Sequence, residues 1–148
     1  MRLVLVGTSH HHAPVELRER VALAREDAQA LAARLAEDGR EAACLSTCNR
    51  TELYVAAGDA DEAERDAAAA LAALGPEVEP ALYRLQERAA AHHLFRVAAG
   101  LDSLVPAKPI GARISHYLLR HRPACPGDPS QSRSSSEAAG VLGWMART

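Results

Sequence analysis

The chain opens on Leu3-Val4-Leu5-Val6, four consecutive apolar residues closed by Gly7, which is the pattern of a short strand buried on both faces. Pro14 suits the first position of a helix. Residues 15–23, with Glu16 and Glu19 early, predict a short helix that leads into a second one. The second helix takes its apolar face from Ala24, Ala28, Leu31 and Leu35 and its stop from Gly39. Residues 42–45 and 53–57 read as two further strands, which leaves 46–51 as a polar connection between them. An alanine-rich stretch over 59–74, with acids in its first turn, predicts a helix ended by Gly75-Pro76. Residues 78–85 are ambiguous. His92, Phe95 and Ala99, with Ala91, Leu94 and Ala98 beside them, mark a last amphipathic helix that His92 and His93 open. Strands and helices are mixed without regular βαβ alternation. The expected class is therefore α+β, a ferredoxin-like two-layer sandwich of a small sheet with packed helices.

Composition alters this picture at one place. Residues 1–105 hold 11 arginines against 17 acidic residues, whereas residues 106–148 hold six cations against two acids, five of the eight prolines and six of the nine serines. The first stretch reads as one domain, and 106–148 as a divergent, poorly ordered tail. Thirty-two alanines and only 3% aromatic residues imply a core of small side chains with few large anchors. A net charge of −2 provides no basic field for nucleic acid. There is no apolar run of the roughly 18 residues that a membrane span needs, and the opening turns polar too soon for an export signal, so the expected location is cytoplasmic. Three cysteines, an odd number, argue against a disulfide framework.

Candidate chemistry gathers in the polar connection. Cys48 follows a predicted strand, among polar neighbours and two residues from Arg50, where a guanidinium would stabilise a thiolate. The alternative is a small buried hydrophobe, which suits Cys44 inside the apolar run. Arg50 offers a two-pronged hydrogen bond to a carboxylate, or an ion pair with Glu52. Asn49 either orients a carbonyl or caps a turn. His10, His11 and His12 point in different directions and lack a partner pair at zinc spacing, so no metal is expected. His92 and His93 serve either as neutral bases or as a polar helix face. No glycine-rich phosphate cradle follows a strand.

Three stretches resemble the N-terminal catalytic domain of glutamyl-tRNA reductase. They are Gly7-Thr8-Ser9-His10-His11-His12-Ala13-Pro14-Val15-Glu16-Leu17-Arg18-Glu19, Leu45-Ser46-Thr47-Cys48-Asn49-Arg50-Thr51-Glu52-Leu53-Tyr54, and His93-Leu94-Phe95-Arg96-Val97-Ala98-Ala99-Gly100-Leu101-Asp102-Ser103-Leu104-Val105. The resemblance implies NADPH-dependent reduction of glutamyl-tRNA to glutamate-1-semialdehyde, the opening step of tetrapyrrole synthesis, through a thioester on Cys48. It further implies that Thr47, Asn49, Arg50 and Ser103 contact the glutamyl group and that His93 serves activity. The family's homodimer and a downstream aminotransferase partner are implied as well. The pattern departs after Val105: Lys108 and Ile110 stand where the family has an acid and an amide, and the NADPH-binding and dimerisation domains have no counterpart. Pro106-Ala107-Lys108-Pro109 can be encoded so that the neighbouring frame reads Gly-Glu-Ala, which makes a frameshift the expected origin of the tail. The competing expectations are an inactive fragment that only binds or deacylates glutamyl-tRNA, and a thiol or metal module.

Overall fold

A computed structural model describes residues 1–102. Its elements are β1 (Arg2–Ser9), α1 (Val15–Val21), α2 (Arg25–Leu35), β2 (Glu41–Thr47), β3 (Arg50–Ala57), α3 (Ala60–Ala72), a 3-10 turn (Glu79–Ala81), β4 (Tyr83–Gln86) and α4 (Glu87–Ala98). The four strands form one antiparallel sheet in the order β2-β3-β1-β4. This is the split β-α-β arrangement of ferredoxin-like folds, in which β3 is inserted between β1 and β2.

The α+β expectation holds, and the sheet is covered on both faces. Side chains alternate along each strand. Val4, Val6, Leu53 and Val55 point toward α1, α2 and α3, where they pack with Leu17, Leu31 and Leu71. Leu3, Leu5, Leu45 and Tyr54 point to the opposite face, which α4 covers with Ala90, Leu94 and Val97. Each fully buried leucine or valine contributes about 1.5–3 kcal/mol of transfer free energy.

Several boundaries differ from those the sequence predicts, for identifiable reasons. Gly7 does not end β1, which pairs with β3 as far as Ser9↔Arg50. The predicted connection at 46–51 shrinks to Cys48-Asn49, because Ser46↔Thr51 and Thr47↔Arg50 pair as strand residues despite being polar. Gly39 is not the helix stop: α2 is capped at Ala36, and Asp38 and Gly39 make a left-handed turn (φ 56° and 77°) into β2. The ambiguous 78–85 stretch becomes the 3-10 turn and edge strand β4. Because α4 begins at Glu87, His92 and His93 lie in mid-helix and do not open it, so the positive end of the helix dipole does not act on their rings. Ser103, Cys125 and the tail at 106–148 lie outside the described residues.

Candidate functional site

The site is built on the α4 face of the sheet, where the start of β3 pairs with the end of β1. Alternation places Arg50, Glu52 and Tyr54 on that face, and Glu52 lies opposite Gly7. On the other side of β1, Gly7 lies opposite Tyr83. A Cβ on Gly7 would come within 2.8 Å of Glu52 Cγ and 2.9 Å of its Cα. The missing side chain thus opens a passage over β1, through which Tyr83 Oη donates to Glu52 Oε1 at 2.5 Å.

Glu52 is wholly buried and collects four donors. Arg50 Nη1 (2.8 Å), Tyr83 Oη and His93 Nε2 (3.0 Å) reach Oε1, and Tyr54 Oη reaches Oε2 at 2.7 Å. Burial alone would raise its proton affinity. The His93 hydrogen bond, the Arg50 charge and the two tyrosine hydroxyls outweigh burial and hold the carboxyl below its ordinary range. Burial and the Glu52 charge push both tyrosines the opposite way, so they remain protonated donors. With a carboxylate as acceptor, His93 must carry hydrogen on Nε2, which leaves Nδ1 as the free nitrogen of the neutral ring.

Arg50 is fully buried at the sheet end. Its Nη2 donates to Asp102 Oδ2 at 2.9 Å and also to the Asp102 backbone oxygen. Burial works against the charge, but the Glu52 and Asp102 carboxylates outweigh it and hold the guanidinium above its ordinary range. The ion pair with Glu52 that the sequence offered as an alternative is therefore present. The fork that was to flank the Cys48 thiol is instead turned toward two carboxylates.

Cys48 is exposed at the tip of the β2–β3 hairpin. Cys44, on β2, is buried, and burial together with the Glu52 charge pushes its thiol up to about 12. Beside Cys48 the turn is pinned from several directions: Asn49 N donates to Thr47 Oγ1 (3.2 Å), Arg18 Nη1 donates to Asn49 Oδ1 (3.2 Å), and His10 N donates to Asn49 O (2.9 Å). This brings the loop after β1 to the same end of the sheet. There His12 stacks on Tyr83 with ring centroids 4.5 Å apart, and His11 Nε2 lies 3.4 Å from Asp102 Oδ1. His10 loses proton affinity through burial and the nearby charges of His11 and Arg50. No group of three metal-ligating side chains occurs among the described residues.

Of the residues singled out in the sequence, the structure thus assembles Thr47, Cys48, Asn49 and Arg50 in one hairpin, and links His93 to Arg50 through Glu52. Sequence reasoning missed Glu52 as the hub, Tyr83 as one of its donors, and Asp102 as the second carboxylate on Arg50. The available signal was the alternation of Arg50, Glu52 and Tyr54 within an otherwise apolar strand. The described residues do not fit NADPH: the loop leaving β1 presents imidazoles where a pyrophosphate cradle needs glycines, and Gly7 is packed against Glu52.

Fold and site together define a split β-α-β domain that carries a thiol at a hairpin tip above a buried arginine-carboxylate-histidine network. Residues 6–109 match the family model described as the glutamyl-tRNA(Glu) reductase N-terminal domain, and the chain belongs to that family. It is 43% identical over 112 residues to a glutamyl-tRNA reductase of Shewanella sediminis, covering 74% of this chain and 27% of that protein. It is 47% identical over 102 residues to one of Deinococcus radiodurans, covering 69% and 28%. The match to a Nitrosomonas europaea glutamyl-tRNA reductase is 37% over 147 residues, covering 98% and 32%. Among solved structures, glutamyl-tRNA reductase from Methanopyrus kandleri superposes with a TM-score of 0.55 at 29% identity, covering 77% of this chain and 26% of that one. The chain spans about a third or less of the length of these relatives. No described helix is long and apolar enough to cross a membrane.

Proposed function

We propose that this chain carries the acyl-transfer half of glutamyl-tRNA reduction, the entry to tetrapyrrole synthesis, with Cys48 as nucleophile. The placement of Cys48 carries this reading: it is an exposed thiol at the tip of a hairpin fixed by Thr47, Asn49, Arg18 and His10, in a family named for this substrate. The Cys48 thiolate attacks the glutamyl ester carbonyl and forms a C–S bond. The C–O bond to the terminal ribose breaks, and the ribose oxygen takes a proton. Asn49 has an amide NH2 left to steady the acyl group, Arg50 provides the carboxylate-binding fork, and His93, oriented by Glu52, offers Nδ1 as a proton acceptor or donor. Ser103 belongs to this reading through the family correspondence. NADPH as reductant of the thioester rests on family membership alone.

The test is to incubate the chain with glutamyl-tRNA and quench in acid. Mass spectrometry should find a glutamyl adduct on the Cys48 peptide, and tRNA release should persist in Cys44→Ser but vanish in Cys48→Ser. Deacylation by Cys48→Ser at the wild-type rate would overturn the assignment. Adding NADPH then separates semialdehyde formation from deacylation alone.

A further inference from the structure

Asp102 and Glu52 both hold Arg50, but the two carboxylates are held in very different ways. Glu52 sits in the sheet with no exposure and four donors. Asp102 lies on the turn after α4, with its side chain 11% exposed and its neighbour Leu101 73% exposed. The helix end does not depend on Asp102, since Gly100 (φ 77°) closes α4 with Gly100 N→Val97 O and Leu101 N→Arg96 O bonds of 3.0 and 2.9 Å. Outside the fork, His11 Nε2 (3.4 Å) and Arg96 Nη2 (3.9 Å) flank the same carboxylate. Nη2 of Arg50 has two hydrogens, and Asp102 takes both. The Arg50 side chain is only 1% exposed, so an incoming carboxylate has no approach to Nη2 while Asp102 is seated.

We infer that Asp102 is an internal competitor for the Arg50 fork, a clasp that a ligand carboxylate displaces. This rests on the reading of Arg50 as the seat of the glutamyl carboxylate. The exchange is selective by charge. A carboxylate entering as Asp102 leaves keeps the buried guanidinium neutralised, whereas an amide would leave it with Glu52 alone. The preference for a carboxylate over an amide thus stays with the buried Arg50 while Asp102 sets how tightly any ligand must compete for it, and the departing carboxylate finds His11 and Arg96 on its outer side.

The test uses the full chain carrying Cys48→Ser, so that esters are not consumed, titrated with L-glutamate α-methyl ester and L-glutamine α-methyl ester and followed by NMR. If the unclasped form is populated at about 10%, removing the clasp tightens apparent affinity about tenfold. Asp102→Asn and Asp102→Ser should therefore bind the glutamate ester about tenfold more tightly and still prefer it to the glutamine ester. With Asp102 intact, saturation with the glutamate ester should displace the Asp102 13Cγ resonance, a readout independent of whether either variant folds. Unchanged or weaker binding by both variants, or an unmoved resonance, overturns the clasp if the glutamate ester is still preferred and Arg50→Met abolishes that preference. If no variant distinguishes the two esters, the reading of Arg50 as a carboxylate seat fails, and the clasp falls with it.

Discussion

Glu52→Gln is the substitution that tests the buried network most directly, because it keeps the volume and removes one charge. In the wild type, Oε1 accepts from Arg50, Tyr83 and His93, and Oε2 accepts from Tyr54. A glutamine amide has a single oxygen. Turned toward Oε1's place, that oxygen keeps three donors on a neutral acceptor, and its NH2 faces the Tyr54 hydroxyl. Turned the other way, the NH2 meets three donors. Breaking a buried ion pair from one side costs about 3–5 kcal/mol. Asp102 still neutralises Arg50, so the low end of that range, about 3 kcal/mol, is expected. For a folded unit of this size the melting temperature then falls by about 12 °C, at roughly 4 °C per kcal/mol. Urea unfolding followed by far-ultraviolet circular dichroism measures it, paired with Arg50→Met in a double-mutant cycle. The double variant should be more stable than the sum of the two losses predicts, by ~1 kcal/mol or more. A loss for Glu52→Gln within ~0.5 kcal/mol of zero, or strict additivity with Arg50→Met, would refute the network.

Gly7→Ala forces a Cβ to 2.8 Å from Thr51 O, a backbone atom that has nowhere to move, and should cost about 1–3 kcal/mol by the same unfolding assay. A neutral outcome there would show that β1 and β3 can part at no cost. Iodoacetamide near neutral pH should label Cys48 well before Cys44, whose thiol is pushed up to about 12, and peptide mapping that finds Cys44 first would contradict their placements. Glu52 and Asp102 both have carboxyl groups held below their ordinary range, so the stability they contribute is complete above about pH 5 and is lost as pH falls through the folded-state values. Acid titration of the Glu52→Gln variant should accordingly lose less stability below that point than wild type does.

The parts of the fold legible in the sequence were those written in apolar periodicity. Leu3-Val4-Leu5-Val6, the Ala28-Leu31-Leu35 face and the alanine-rich third helix all lie where patterning puts them. Strand ends were misplaced because patterning sees hydrophobic residues, whereas Ser46, Thr47, Arg50 and Thr51 are strand residues that satisfy their polar groups locally. Ser46 Oγ accepts from Leu23 N, and Thr51 Oγ1 donates to Val21 O. The start of α4 was missed because Glu87 enters the helix from a left-handed conformation (φ 52°), which no cap residue announces. At the site, the hairpin residues were legible as a motif. Glu52 as hub was not, because its role depends on a glycine in β1 and a tyrosine in β4, both far from it in sequence.

The network draws its donors from three separate elements: Arg50 and Tyr54 from β3, Tyr83 from β4 and His93 from α4. Each is placed by packing that has nothing to do with chemistry. His93 is held near Glu52 because its neighbours on α4, Ala90, Leu94 and Val97, seal the face formed by Leu3, Leu5 and Tyr54. Tyr83 reaches across because β4 pairs with β1 in the single register that sets it opposite Gly7. A loop-borne site could be retuned without disturbing the core, but this one shares its face of the sheet with the core. Loosening the α4 cover, for instance by truncating Leu94, should therefore disturb the His93 Nε2 hydrogen bond to Glu52 and displace the His93 Nε2 NMR resonance at fixed pH even though Leu94 carries no charge, whereas the same truncation at Leu71 beneath α3 should cost stability and leave that resonance unmoved.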